Sequence, residues 1–396
     1  MVSSKVQNRQ IRSRERSWFY WFTVPIYPYS QRRTIRKEVV KDAVWTFEQL
    51  QGIFYVVTPI RMTVVKLDAG GLLVYAPVAP TVECLGLLDE IVSIHGEVRY
   101  IILPTASGLE HKVFVPPFAR KFPNAQIYIA PDQWSYPINL PLSWLGFPPN
   151  RTHLLDGRSI PFNDQFEYAK LGPIRLGLGP FEEIALFDRR SKTLLVTDSV
   201  VSVPEVAPEI IQIDPYPLLF HARETVSDPI EDTEANRRKG WQRIALFTFY
   251  FRPSGLDIAD LVPSVREAVK APDHSKKALF GWYPFHWKLG WQRSFEALRK
   301  HRLIVAPILQ RLILNREPQI VIDWAQKVAS WDFERIIPCH LDAPIVADAI
   351  EFRAAFSFLE KNGDRTLPDE DCELLKEIEQ GLIKTKVTPP AKEKIG

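Results

Sequence analysis

The sequence predicts a layered α/β fold. Two groups of short runs rich in β-branched and aromatic residues are each followed by segments with helical spacing, an order that suits sheets covered by helices better than a bundle or a pure sandwich. The chain has 396 residues, 46% of them hydrophobic and 24% charged, a globular balance with length for one elaborated domain or two. Its 33 prolines imply many fixed turns and long irregular connections.

The first group contains the runs Ile53–Val57, Met62–Leu67 and Leu72–Tyr75. Asp68-Ala-Gly-Gly71 supplies a tight turn, so the last two read as a hairpin. Thr81 to His95 carries Val82, Leu85, Leu88 and Ile91 at helical spacing. Tyr100–Leu103 reads as a buried strand ended by Pro104, and Gln126–Ala130 as the next. A Pro- and Trp-rich loop from Pro131 to Pro149 leads to the second group, Phe166–Ala169, Ile184–Phe187 and Thr193–Val196. Beyond Pro215 the spacing becomes helical, over Thr233–Phe251, Leu261–Lys270, Trp291–Leu314 and Ile320–Ser330. A final strand, Arg335–Pro338, precedes His340, and two more helices finish the chain.

A net charge of +3 is close to neutral at this length and argues against specific nucleic-acid binding. Cys84, Cys339 and Cys372 form no CxxC pair, which favours a reducing compartment over a disulfide framework. No run reaches the roughly 18–20 apolar residues of a spanning helix. The polar, basic Met1–Arg16 does not read as a secretory leader, so a cytoplasmic, non-secreted protein is expected. Trp18 to Tyr29 is dense in aromatics, and Arg32 and Arg33 follow. Residues 18–33 read either as an arm packed across the domain or as a peripheral membrane or partner contact.

Three stretches share one pattern, an apolar strand running straight into a residue able to bind metal or water. They lead to Glu110 and His111, to Asp198, and to His340 with Asp342. Ligand sites gather at strand ends in layered α/β proteins, and carboxylate with imidazole is a donor set for zinc, iron or manganese. The bland alternative leaves the histidines in ordinary hydrogen bonds and Asp198 capping a turn. His221, after an apolar run, reads as a satisfied buried histidine. Arg237-Arg-Lys239 reads as a solvated helix face, with a phosphate patch as the sharper alternative. Cys339 reads as a packing residue, and Phe280 to Trp287 as core with a pocket wall or docking surface as the alternative. GxxxxGK and GxSxG are missing, and Leu176-Gly-Leu-Gly179 runs into a proline rather than a helix.

The order of these stretches resembles the metallo-β-lactamase superfamily over approximately residues 50–200 and 330–345. A closer resemblance, across nearly the whole chain, is to an uncharacterised subfamily of photosynthetic organisms, domain of unknown function 4336. Pro104-Thr-Ala-Ser-Gly-Leu-Glu-His-Lys-Val-Phe, Pro117-Phe-Ala-Arg-Lys-Phe-Pro, Gln133-Trp-Ser-Tyr-Pro and Ile337-Pro-Cys-His-Leu-Asp carry it. The resemblance implies a four-layer αββα sandwich with a helical insertion and C-terminal helices. Residues 1–45 would form a basic, aromatic arm, 46–224 the core and 225–320 the insertion. Residues 321–396 would complete the core with His340 and add the last helices.

The superfamily motif His-x-His-x-Asp-His would place its last histidine on His111 and its aspartate on Glu110. Its first two histidines would fall on Ala106 and Gly108, and a further one near Gly179. The three missing histidines hold one of two metals, so the resemblance implies one divalent ion (zinc, iron or manganese) at Glu110, His111, Asp198 and His340, or none. Two functions follow: a mononuclear hydrolase using a metal-bound water, or a non-catalytic descendant that binds a small molecule or protein partner. A third is a peripheral protein of photosynthetic membranes. Substrate, oligomeric state and pathway are not encoded in these motifs.

Overall fold

The computed structural model describes residues 13–20, 27–107, 109–135, 138–157, 160–361 and 367–395. The expectations for residues 1–12 and 21–26 of the arm, and for Gly108, lie outside them. The first half of the chain runs through β1 (Ile35–Val40), β2 (Val44–Ile53), β3 (Val56–Lys66), β4 (Leu72–Tyr75), α1 (Val82–His95), β5 (Val98–Leu103), α2 (Val115–Lys121), β6 (Gln126–Ile129) and β7 (Thr152–Leu154). These seven strands form one sheet in chain order, antiparallel from β1 to β4 and parallel from β4 to β7. Parallel neighbours need a crossover, and α1 supplies the first. Thr81 caps it by accepting the Cys84 amide, and Gly96 ends it at φ 93°, a conformation costly to any side chain.

The second half holds β8 (Phe166–Leu176), β9 (Gly179–Asp188), β10 (Thr193–Leu195), α3 (Glu209–Gln212), α4 (Tyr216–Ala222), α5 (Glu234–Tyr250), β11 (Leu256–Ile258), α6 (Leu261–Ala268) and β12 (Phe285–Trp287). It continues through α7 (Gln292–Leu298), α8 (Pro307–Leu312), α9 (Pro318–Ala329), β13 (Arg335–Ile337), β14 (Ile345–Val346), α10 (Ala349–Ala354) and α11 (Asp369–Lys384). The second sheet has the order β14-β13-β10-β9-β8, and β11 pairs only with β12.

Alternation along the strands fixes the layers. Leu73, Tyr75 and Ile102 of the first sheet share a core with Ile184, Leu186, Leu195 and Ile337 of the second. Their neighbours Leu72, Val74 and Ile101 pack outward on Cys84, Leu88 and Ile91 of α1. Ala185, Phe187 and Leu194 pack outward on Val321, Ala325 and Val328 of α9. The result is the four-layer αββα sandwich expected from the sequence. A further core joins α4 and α5 to Tyr283, Phe285 and Trp291, absorbing much of the aromatic stretch from Phe280 to Trp287.

Two expectations need correction. The predicted strand Ile53–Val57 is a hairpin tip: Ile53 ends β2, Val56 begins β3, and Phe54 and Tyr55 take φ 50° and 64°. Two left-handed residues close a tight hairpin, but aromatic residues rarely take that conformation, so the turn was invisible. The strand before it was hidden because β2 buries Glu48, Gln49 and Gln51 as well as apolar groups. The predicted helix Trp291–Leu314 is two short helices, α7 and α8, with Pro307 starting the second. Among the described residues, no helix is long and apolar enough to cross a membrane.

Candidate functional site

Three strand ends deliver the site. His340 follows β13, Asp198 follows β10, and Glu110 and His111 follow β5 by a short loop. The backbone around His340 is held by Arg61, whose guanidinium donates to the carbonyls of Pro338, His340 and Leu341. Arg61 is itself buried and paired with Glu48 at 2.9 Å, so the charge is matched where water is excluded. The Asp198 turn is held by Glu183, which sequence reasoning missed. This fully buried carboxylate accepts the amides of Thr197, Asp198 and Ser199, each at 2.9 Å, and the Ser199 hydroxyl at 2.7 Å. Burial, then the nearby Asp198 charge, raise Glu183 above the usual carboxylate range despite those four donors.

His340 lies between two carboxylates. Its Nε2 is 3.2 Å from Asp198 Oδ1 and 3.3 Å from Glu110 Oε1, and its Nδ1 is 2.8 Å from the Pro59 carbonyl. Burial by itself would lower the imidazole. Glu110 and Asp198 overcome it and raise His340 to about 9, so the ring is a cation at neutral pH. Burial would raise Asp198, but the bond and charge of His340 hold it below its ordinary value. Gln51 donates its side-chain amide to the same Glu110 oxygen that faces His340.

His111 completes the group differently. It takes φ 55° and sets its Nδ1 2.9 Å from the Pro77 carbonyl. Its buried Nε2 has no partner. Burial lowers its pKa, and the charges of Glu110, His340 and Asp198 all reach it. Anchoring one ring nitrogen on a carbonyl is how ligating histidines are oriented, so donor type and tautomer suit a cation. The grouping does not: among the described residues, no three His, Cys, Asp or Glu side chains are placed so that they could hold a metal ion as they stand.

Gly179 has φ 102°, and a side chain there would collide with the Trp134 indole. Lys112 is buried and donates to the carbonyls of Ala106 at 2.8 Å and Trp134 at 2.6 Å. Burial lowers its amine to about 8. Cys339 is buried, and burial raises its thiol well above the usual range, as suits a packing residue.

The remaining candidates lie elsewhere. His221 donates from Nε2 to the Phe54 carbonyl, 3.1 Å away, with the rings of Phe220, Phe247 and Phe285 around it. Arg237, Arg238 and Lys239 pair with Asp232, Glu205 and Glu224, leaving no unpaired cation in that run. Trp18 is buried against Phe114, Tyr27 is buried, and Phe19 and Tyr20 face solvent.

A family model described as domain of unknown function, DUF4336, matches residues 41–358. The chain belongs to the DUF4336 family. No curated protein matches it. Among solved structures, the DUF4336 chain is similar to the DIM-1 metallo-β-lactamase exposed to ceftazidime, at 11% identity and a TM-score of 0.38, over 82% of this chain and 96% of that one. It is also similar to a flavo di-iron protein variant from Thermotoga maritima, at 9% identity and a TM-score of 0.39, over 84% and 65% of the two chains. A flavodiiron core from a Synechocystis species aligns at 13% identity and a TM-score of 0.33, over 78% and 72%.

The sequence did contain a signal for Glu183. Glu182 and Glu183 interrupt an otherwise apolar strand, and a charge at an inward position of a strand needs a partner. Arg61 in the run from Val56 to Lys66 was open to the same inference.

Proposed function

We propose that this DUF4336 chain is a non-catalytic, metallo-β-lactamase-like binding protein whose former metal cleft is closed by a side-chain bridge. The observation that carries this reading is His340 Nε2 lying within 3.3 Å of both Glu110 and Asp198, with Nδ1 held by Pro59. An imidazole engaged on both nitrogens fastens the β5 loop, the β10 turn and the β13 end together without a third component. Trp134 beside Gly179, and Lys112 on the carbonyls of Ala106 and Trp134, support it from the other half of the cleft.

The unpartnered Nε2 of His111 favours a second reading, a single-ion hydrolase. Glu110, His111, Asp198 and His340 would then hold one zinc, iron or manganese ion, and the ion would supply Lewis acidity. Elemental analysis of tag-free protein, after incubation with each metal, separates the two. The first reading expects sub-stoichiometric metal, equal in wild type and in the His111→Ala and His340→Ala variants. Near-stoichiometric metal that is lost in both variants would overturn it and justify a screen of esters, thioesters and phosphodiesters.

A further inference from the structure

A cavity of about 700 Å³ lies where the aromatic arm meets the β2–β3 hairpin and the approach to α4. That volume is within the range of small-molecule sites, roughly 300–1,000 Å³. None of Glu110, His111, Asp198 and His340 lines it, so a ligand here is independent of whether the strand-end cleft holds a metal.

One wall is a run of tyrosine rings. Tyr27 and Tyr55 meet edge to face at 5.3 Å, and Tyr55 and Tyr216 do so at 5.1 Å. Leu50 and Ile210 extend the apolar surface. The hydroxyls divide sharply. Tyr27 donates to Asp214 Oδ2 at 3.3 Å, and Tyr55 donates to the Lys277 carbonyl at 2.7 Å. The Tyr216 hydroxyl is buried and has no partner. Its ring is only 9% exposed, and the residue lines the cavity. This hydroxyl has almost no accessible surface, so the ring and not the oxygen contributes to the wall of the cavity.

The charge around the opening is mostly positive. Lys276 and Lys277 line it and are exposed, and the Lys277 ammonium sits 4.2 Å from the centre of the Tyr216 ring. Arg33 also lines it, but is paired with Glu83 at 3.0 Å. Asp214 is the one carboxylate among the described residues of the lining, and it is engaged by the Tyr27 hydroxyl and the Tyr216 amide. Burial raises Tyr216 above the ordinary phenol range.

We propose that this cavity binds a planar aromatic anion, its ring against the tyrosine wall and its anionic group held by Lys276 and Lys277. Aromatic walls take a flat ring in stacked or edge-on contact. Both ammonium groups donate and attract an anion. A neutral aromatic would leave the two lysines without a counter-charge, and a small anion would leave the rings uncovered. Both parts of the ligand are therefore needed.

Calorimetric titration of the full chain with 2-naphthyl phosphate, inorganic phosphate and 2-naphthol tests this. The expected result is one site for 2-naphthyl phosphate, with each fragment at least about tenfold weaker. Lys276→Gln and Lys277→Gln should each weaken the intact probe several-fold and together about tenfold, with unchanged melting temperature. The exposed lysines carry no core packing, so loss of binding there reports the site and not the fold. No saturable binding of 2-naphthyl phosphate overturns the proposal. So does equal affinity for phosphate alone, or an affinity that neither variant changes.

Discussion

The cleft at the strand ends and the cavity beside the hairpin differ in how their polar atoms are engaged. In the cleft, Glu183 accepts four donors, Arg61 holds three carbonyls and one carboxylate, and His340 is bound on both ring nitrogens. In the cavity, the Tyr216 hydroxyl has no partner and two lysines stand at the opening. Groups engaged by the fold hold it together. We read the strand-end cleft as a fastening and the cavity, with its exposed lysines, as the receptive region. Buried atoms without a partner occur in the cleft too, at His111 Nε2, Gln51 Oε1, Thr197 Oγ1 and Trp134 Nε1, and the imidazole is why metal analysis comes first there.

The largest effect should come from Glu183→Ala. It strips the acceptor from three backbone amides and a hydroxyl in a buried turn, and should destabilise the protein by about 4 kcal/mol in denaturant unfolding. A loss under about 1 kcal/mol would mean that the turn finds other acceptors and that the cleft is held less firmly than these bonds imply. His340→Ala comes next. It leaves Glu110 and Asp198 as neighbouring carboxylates without their cation, and should cost about 3 kcal/mol, measured with a chelator present. If added zinc raises the unfolding midpoint of the wild type and leaves that of the variant unchanged, the cleft is receptive after all and the contrast fails.

A pH series sharpens the comparison from a third place. Burial pushes His221 from its ordinary 6.5 down to about 3. Above pH 6.5 the ring is neutral in both folded and unfolded chains, and its contribution to stability is complete. As pH falls below 6.5 the unfolded chain takes up a proton that the folded chain refuses. Stability should then drop by up to about 1.4 kcal/mol per pH unit, until the folded ring titrates near pH 3. His221→Phe should flatten that part of the acid limb, whatever offset the substitution adds from the lost bond to Phe54. An unchanged slope would show that His221 is not the group excluded from protonation.

The layer order was legible because strand alternation and helix periodicity record burial directly. Leu72 to Tyr75, Thr81 to His95 and Ile184 to Phe187 declare their faces in the sequence. The β2–β3 hairpin did not, because its turn uses Phe54 and Tyr55 in place of Gly or Asn, and β2 buries Glu48, Gln49 and Gln51. In the cleft, Glu110, His111, Asp198 and His340 could be named from residue types at strand ends. Their mutual distances could not, nor could the supports at Glu183, which gathers the amides of the turn after the next strand, and Arg61, whose carbonyl partners lie far away in sequence. The tyrosine cavity was the least legible. Tyr27, Tyr55 and Tyr216 come from three separate segments, and an unpartnered hydroxyl leaves no trace in a pattern of letters.

The smallest expected effect on stability is the one that tests the contrast most closely. Tyr216→Phe removes one oxygen from a buried site and leaves the ring contacts with Tyr55 and Phe220 in place. Had the hydroxyl been bonded, its loss would destabilise the fold by about 1 kcal/mol. Because it is unpartnered, removing it also removes a desolvated donor, and the variant should be as stable as the wild type or more stable by up to about 1 kcal/mol. Denaturant midpoints at fixed slope measure this. Tyr55→Phe, whose hydroxyl bonds the Lys277 carbonyl, is the matched control and should lose stability. Equal losses in the two would show that Tyr216 meets an acceptor within the chain.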